Sequence, residues 1–332
     1  MRQTGSMDDP ASEAPQGVNG RARIVRAIRF LFLVMVGAWL AWTLASNPAN
    51  LEGVVRIWRT PSAWLFLLGW MTIPVGLWLL WRSQIFLATG YRLPWSTALS
   101  IQAVAWGGRY LPGKAGLWVA KTALTRSSGL GWRELGVSVL TEQLLFLIAG
   151  ALVVLALVLS PQSALLGQLP DSFTRPFQTI SGQPAILLVA LGAVVLTTMA
   201  GIIIFLPRLA GDAVRAIGWK NWPLLLTGHI LIHLVAGLSL YPLVELLLPE
   251  AANVLGPLGV AGALALANIG GIAAIIAPAG LGVREAMLAI VLAVGVDYDQ
   301  ALGVAVLLRV ITLFADVLFA VGGWIVGKAF EP

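Results

Sequence analysis

The stretch Asn268-Ile-Gly-Gly-Ile-Ala-Ala-Ile-Ile-Ala-Pro-Ala-Gly-Leu-Gly-Val-Arg-Glu-Ala286 decides the fold of this chain. An apolar run meets Pro278, then Gly280 and Gly282, and the charged pair Arg284–Glu285 follows directly. Proline removes a backbone donor and glycine disfavours helix, so a continuous helix should break here. Unpaired backbone groups in lipid cost several kcal/mol each, so such a break survives only inside protein or beside a wet cavity. We therefore interpret the stretch as the tip of a re-entrant hairpin and half of a binding site.

The composition of the whole chain is that of a polytopic membrane protein. Of 332 residues, 58% are hydrophobic and only 11% are charged, whereas roughly a quarter of the residues in a soluble domain are charged. Several apolar runs reach the roughly 20 residues that a helix needs to cross a bilayer. The absence of cysteine excludes disulfides, thiol catalysis and thiolate metal sites. The net charge of +6 comes from basic residues between apolar segments, which indicates membrane topology and not a nucleic-acid partner.

Basic residues also predict the sidedness of the chain. Four arginines precede the first apolar run, and they place the N-terminus in the cytoplasm. Lys328 closes the chain on the same side, so both termini should be cytoplasmic and the protein should lie in the cell (inner) membrane. Residues 1–20 are polar and should be disordered, whereas 21–328 should form one transmembrane domain. The six predicted spans are about 28–46, 62–81, 135–159, 184–206, 222–248 and 301–326.

A second broken stretch precedes the third span. It reads Gly107-Gly-Arg-Tyr-Leu-Pro-Gly-Lys-Ala-Gly116, so Pro112 and Gly113 interrupt an apolar approach with cations on either side. We predict a second re-entrant hairpin, which enters and leaves on the cytoplasmic side, and we assign Lys121 to its cytoplasmic return. The expected fold is therefore an all-α polytopic membrane protein with about six full spans and two re-entrant broken-helix hairpins.

The two broken stretches correspond to each other. Gly116 lies four residues after Pro112, and Gly282 lies four residues after Pro278. The segments that follow, 136–142 and 303–309, are also alike, and three predicted spans should invert the second copy. Gly/Pro-broken segments in matching halves of an inverted repeat point to a transport site near the midplane. The alternative is chance similarity among Gly-, Ala-, Val- and Leu-rich segments.

Cations beside the two breaks are the candidate ligand-binding residues. Arg109, Lys114 and Arg284 stand near helix ends, where free N–H groups and the helix dipole suit a phosphate. The alternative for these residues is snorkelling of the side chain to the membrane interface. The candidate residues for binding a lipid headgroup are Arg109, Pro112, Gly113, Lys114, Pro278, Gly280, Gly282, Arg284 and Glu285.

Three further charges lie inside predicted spans. Glu142 and Arg309 occupy matched positions of the repeat, and either charge would be costly to bury alone. We therefore predict that they interact, directly or through one neighbour, with Asp316 as a competing partner for Arg309. A structural ion pair with no role in transport is the alternative.

Catalytic and metal sites are not expected. His229 and His233 lie one turn apart, but a metal pair would lack a third ligand, and we expect hydrogen-bonded helix histidines. We find no nucleophile beside a base and no nucleotide-binding motif. The sequence therefore predicts neither an enzyme nor a bound cofactor.

The segments Pro278-Ala-Gly-Leu-Gly-Val-Arg-Glu285 and Arg109-Tyr-Leu-Pro-Gly-Lys-Ala-Gly116 together resemble the lysylphosphatidylglycerol synthase transmembrane-region family. This family usually has a second glycine where this chain has Ala279, and often an arginine where it has Gln143. The resemblance covers about residues 28–327 and implies a flippase-like domain without a soluble synthase domain. It implies movement of an anionic, aminoacylated or polyprenyl-phosphate-linked lipid between leaflets.

Other functions stay open at this point. A transporter of a small anion is the main alternative, followed by a membrane-embedded lipid-modifying enzyme and by a non-transporting partner subunit. The expected partner is a membrane lipid, and the candidates for a protein partner are a second copy of this chain and a separate lipid-synthesising enzyme.

Overall fold

The computed structural model describes residues 56–110, 115–125, 130–159, 217–274 and 277–330. These residues belong to one compact unit that spans 49–332. Every regular element within the described ranges is helical. The predicted spans at 28–46 and 184–206 and the disordered segment 1–20 lie outside the described residues, as do Pro112, Gly113 and Lys114.

Eight α-helices are described, and we number them in chain order. They are α1 (Pro61–Thr89), α2 (Trp95–Gly108), α3 (Ala115–Thr125), α4 (Trp132–Leu159), α5 (Asn221–Leu247), α6 (Pro249–Ala273), α7 (Val283–Leu292) and α8 (Tyr298–Ala329). A short 3-10 turn, Pro278–Gly280, lies between α6 and α7.

The helices α1, α4, α5 and α8 confirm four of the predicted spans as helices. Together with α6, they are five helices in the described part of the chain that are long and apolar enough to cross a membrane. The sequence predicted α6 as a hairpin arm, but its 25 residues have the length of a span. It carries a kink at Gly256, where φ is 61°. The protein is therefore a multi-pass helical membrane protein, and the exact number of spans stays a prediction.

Small residues let the long helices pack closely. The helix α5 packs against both α1 and α6, while α8 packs along α2. A Cβ added at Gly237 of α5 would lie 2.4 Å from the Cα of Ala261 of α6. A Cβ added at Gly69 of α1 would lie 1.8 Å from Oγ of Ser239. Such contacts between backbones are the usual way in which helices associate in lipid, where burial of apolar surface gives no driving force.

Each predicted break separates two helices that meet through glycines. The first break follows α2 and precedes α3, and the second lies between α6 and α7. A Cβ on Gly108 would lie 2.7 Å from the backbone of Gly116, and one on Gly280 would lie 2.6 Å from Cα of Gly271. Glycine is thus required at both breaks because the chain segments on the two sides of each break touch, although the two contacts lie at different distances from Pro112 and Pro278. The two helices around the second break differ in length, since α6 has 25 residues and α7 has 10.

The second break ends in a tight, left-handed turn. Ala279, Gly280 and Gly282 have φ values of 50°, 73° and 80°, and only glycine adopts such angles without strain. The carboxylate Oε2 of Glu285 then accepts a hydrogen bond from the Gly282 N–H at 2.6 Å and caps the start of α7. The sequence Gly-x-x-Glu therefore ends the break and starts the next helix.

Candidate functional site

A backbone hydrogen bond joins the two broken stretches. The N–H of Ala279 donates to the carbonyl oxygen of Arg109 at 3.2 Å. One break thus satisfies a polar group of the other, which is what buried backbone without a regular helix requires. The two halves that the sequence assigned to one site lie against each other.

Asp316 of α8 accepts hydrogen bonds from α1 and from the end of α2. Its Oδ1 accepts from Nε1 of Trp70 at 3.0 Å and from Nε1 of Trp106 at 2.8 Å. Its Oδ2 accepts from Nη2 of Arg109 at 2.6 Å and from the hydroxyl of Tyr110. Four donors occupy the carboxylate, which is 2% exposed. Asp316 therefore has its hydrogen-bonding capacity filled and serves to hold Arg109 and the two tryptophans in place.

Arg109 is fixed by aromatic rings as well as by charge. Its guanidinium carbon lies 4.0 Å from the ring centre of Trp106 and 5.4 Å from that of Tyr110. Cation–π contacts of this kind are strong where water is excluded. Its Nε is buried and has no hydrogen-bond partner among the described residues. Asp316 was predicted as a competing partner for Arg309. The arginine that forms an ion pair with Asp316 is instead Arg109.

Arg284 is the cation of the second break, and its guanidinium has nitrogens without a hydrogen-bond partner among the described residues. The guanidinium carbon lies 5.5 Å from the ring centre of Trp70. Its Nε and Nη1 atoms are buried without a hydrogen-bond partner in the described part of the chain. No ion pair is formed by Arg284 within the described residues. Burying such a cation costs free energy unless an anion compensates its charge.

Both cations line one cavity of about 50 Å³. Helices α1, α2, α3, α4, α6 and α7 and the 3-10 turn contribute to its wall. Asn268 also lines it, is 2% exposed and has no hydrogen-bond partner for its Oδ1 among the described residues. The lining residues are Trp70, Ile73, Leu77, Trp106, Arg109, Leu117, Gln143, Phe146, Asn268, Gly271, Ile272, Ala279 and Arg284.

Arg309 and Glu285 form a second charged pair beside this cavity. Nε of Arg309 lies 3.2 Å from Oε1 of Glu285. These two atoms attract each other as charges but do not have the geometry of a hydrogen bond. Both side chains border a smaller cavity of about 20 Å³, which Arg284 and Trp70 also line. Arg284 therefore lies between the two cavities.

The predicted interaction of Glu142 with Arg309 is wrong. Glu142 of α4 pairs with Lys121 of α3, and both side chains are fully buried. Lys121 also lies over Trp81, with Nζ 4.5 Å from the ring centre. Lys121, which was predicted as a charge of the cytoplasmic return, is a paired side chain at 0% exposure and not a loop charge. Glu142 and Arg309 each have their partner on the helix that precedes their own in the chain.

The two ion pairs nevertheless correspond to each other. Lys121 and Glu142 join α3 to α4, and Glu285 and Arg309 join α7 to α8. In both cases, the short helix after a break is tied to the next long helix, and the signs of the two charges are exchanged. The sequence missed these pairs because helix packing, and not spacing along the chain, brings them together.

Several other side chains of the site were also missed. Trp70, Trp106 and Tyr110 hold Asp316, and Asn268 faces the cavity. Trp106 and Tyr110 lie within three residues of Arg109 in the sequence, and such neighbouring aromatic residues could have indicated a cation that packs against aromatic rings. Trp70 and Asn268 carry no such local signal. His229 and His233 each bond a backbone carbonyl, as predicted.

A family model described as the lysylphosphatidylglycerol synthase TM region matches residues 26–320. The chain belongs to this family. The match includes both breaks and the three ion pairs found among the described residues, and the family is one of lipid-related membrane proteins. No curated protein and no solved structure matched the chain.

Proposed function

We propose that the protein binds the phosphate of an anionic lipid headgroup between its two broken stretches and moves the lipid between leaflets. The observation that carries this proposal is that Arg109 and Arg284, one from each break, line the same cavity. Phosphate accepts charge-assisted hydrogen bonds from guanidinium groups, which are about twice as strong as neutral ones. Arg284 has two buried nitrogens to offer.

The charge balance around the cavity favours an anion. The cluster contains three arginines, Arg109, Arg284 and Arg309, and two carboxylates, Glu285 and Asp316. Asp316 is filled by four donors, and Glu285 is engaged by Arg309 and by the Gly282 N–H. Three positive charges against two negative ones leave an excess of one. Since burial of an uncompensated charge is costly, one phosphate negative charge would neutralise the cluster.

The size of the cavity limits what part of a lipid can enter. A single water already needs about 10–15 Å³ of cavity volume, so about 50 Å³ suits a small group such as a phosphate and not acyl chains. The headgroup would therefore lie between the breaks while the tails stay in the bilayer.

An inverted repeat with re-entrant tips accounts for the shape of the site. Its support is the ion pair of exchanged sign behind each break, and each break also contains a close Gly–Gly contact. In transporters of this type, broken helices from the two halves meet at a substrate site near the midplane. The hydrogen bond from Ala279 to Arg109 would lie at that meeting point.

The test is movement of fluorescent phosphatidylglycerol between leaflets of proteoliposomes. Arg284→Ala should abolish most of the protein-dependent rate, and Arg284→Lys should retain part of it, because lysine keeps the charge but loses the planar fork. Arg59→Ala is the matched control, since Arg59 is an exposed arginine outside the site. Equal rates for the parent protein and Arg284→Ala would contradict the assignment.

Transport of a small anion is the second candidate, and the size of the cavity favours it. A space of about 50 Å³ also fits a free inorganic anion such as phosphate. Uptake of labelled phosphate into the same proteoliposomes separates the two functions. Phosphate uptake without lipid movement would replace the lipid proposal.

A further inference from the structure

We infer that Glu142, together with Lys121, His229 and His233, forms a proton-binding site that couples proton movement to the transport step. The inference rests on the proposed function, and it adds the ion that would drive the lipid. The groups lie outside the arginine cluster, and nothing in the binding of a phosphate uses them. Chains of buried carboxylates and histidines in membrane proteins commonly relay protons.

The acidic member has an unused oxygen. Oε2 of Glu142 takes the ammonium group of Lys121, whereas Oε1 is buried and has no partner among the described residues. Both residues are 0% exposed. The pair carries no net charge, and a proton bound at Oε1 would give it a charge of +1. A pair that served only to tie α3 to α4 would gain by filling both oxygens.

The two histidines each have an unused nitrogen. Nδ1 of His229 lies 2.7 Å from the carbonyl oxygen of Leu225, and Nε2 of His233 lies 2.9 Å from that of Phe146. A carbonyl only accepts, so these ring nitrogens carry the hydrogen. The other nitrogens, Nε2 of His229 and Nδ1 of His233, are buried without a partner in the described part of the chain. In a neutral ring, each has a lone pair that can take a proton.

Helix register brings these groups to one level. The helices α4 and α5 run parallel, because Leu145 shares one apolar cluster with Leu225, and Val153 shares another with Leu234 further along both helices. The bond from His233 to Phe146 fixes their register. One turn back along α5 is His229, and one turn back along α4 is Glu142. Lys121 is close enough for its charge to act on His229.

The other charged groups of the neighbouring helices face elsewhere. Arg82 of α1 donates to the carbonyl of Leu93 at 2.8 Å, and Glu134 at the start of α4 caps the N–H of Gly131. Glu245 of α5 and Glu250 of α6 are exposed. The helix α1 adds Trp81 and the amide of Gln84, whose two polar atoms are buried and unpartnered among the described residues. Asn268 of α6, which packs against α4, is uncharged.

The same helix turns line the cavity of Arg109 and Arg284, so a protonation change at Glu142 has a short route to that cavity. Leu117 lies one turn before Lys121, Gln143 follows Glu142 directly, and Phe146 lies one turn after Glu142; all three line the cavity of Arg109 and Arg284. A proton taken from water on one side and bound at Glu142 changes the charge of the cluster from zero to +1. Lys121 keeps its proton, no electron moves, and the cycle closes when the proton leaves to water on the other side.

The first test measures protonation directly and needs no transport. Infrared spectra of the protein in lipid nanodiscs are recorded between about pH 5 and 8, the range in which histidine titrates. A protonated carboxyl band should grow as the pH falls in the parent and in Glu250→Gln, the exposed control. The band should be absent from Glu142→Gln. Since that variant leaves Lys121 without a counter-charge, Lys121→Gln combined with Glu142→Gln provides a neutral pair that should fold. A parent spectrum without any Glu142-dependent band overturns the inference.

The second test imposes a pH gradient on proteoliposomes that contain fluorescent phosphatidylglycerol. With one proton per lipid, a gradient of about one pH unit shifts the leaflet ratio by up to about tenfold, and an ionophore that collapses the gradient removes the shift. The double variant should still bind lipid but lose this response. If the parent moves lipid equally with and without a gradient, the coupling is wrong and the proposed function stands. If the parent moves no lipid, the proposed function fails, and the infrared spectra decide on the proton site.

Discussion

Arg109, at the first break, donates from Nη2 to Oδ2 of Asp316 on the last helix at 2.6 Å. The two residues are separated by 206 intervening positions, and they do not occupy matched positions of the predicted repeat. Their contact fixes a buried cation at the wall of the cavity, with Trp106 stacked on the other side at 4.0 Å. The helix α8 thus holds the cation at the first break in place.

Loss of Asp316 should therefore destabilise the protein. Asp316→Asn removes the counter-charge of Arg109, and breaking one partner of a buried pair typically costs about 3–5 kcal/mol. Thermal unfolding in detergent should show a clear decrease in melting temperature. Asp299→Asn is the control, because Asp299 is exposed at the start of α8. Similar melting temperatures for the two variants would contradict the role of Asp316.

Lys121 and Glu142 should behave as one unit in a double-mutant cycle. Each single alanine variant leaves a fully buried charge, whereas the double variant leaves none. The loss for Lys121→Ala combined with Glu142→Ala should thus be smaller than the sum of the single losses. The pair Glu142 and Arg309 is the control, and its losses should add. Additive losses for Lys121 and Glu142 would show that the ion pair does not form in the membrane.

The glycine contacts of the breaks give a prediction that depends only on space. Gly108→Ala should destabilise the protein, because the new Cβ would lie 2.7 Å from the backbone of Gly116. Gly136→Ala is the matched helical control, since nothing lies within 4 Å of a Cβ there. It should stabilise by about 0.5–1 kcal/mol through helix propensity. Equal melting temperatures for the two variants would mean that the arms of the break are not in contact.

Introduced cysteines can test the membrane topology, because the chain has none of its own. We predict that both termini are cytoplasmic and that Pro112 and Pro278 approach the midplane from opposite sides. Cysteines at Ser172 and Asp299 should then be labelled from the outside by an impermeant reagent, and one at Lys328 only after permeabilisation. Labelling of the Ser172 and Asp299 positions from opposite sides would contradict this topology.

The sequence predicted the parts of this structure that depend on local chemistry. Pro278 with Gly280 and Gly282 marked the second break, because the effect of these residues on the backbone does not depend on their neighbours. Apolar runs marked the long helices for the same reason. The partners of Glu142, Arg309 and Asp316 could not be predicted, since each depends on which helices pack together. Lys121 was misassigned because a lysine in a membrane protein is usually a surface charge.

The central claim is that Arg109 and Arg284 together hold the phosphate of a lipid. Native mass spectrometry of the purified protein, with defined mixtures of phosphatidylglycerol and phosphatidylcholine, measures this binding without any transport assay. The parent protein and the exposed control Arg59→Ala should retain phosphatidylglycerol selectively, whereas Arg284→Gln should lose that selectivity. Equal selectivity in Arg284→Gln and the parent would contradict the account.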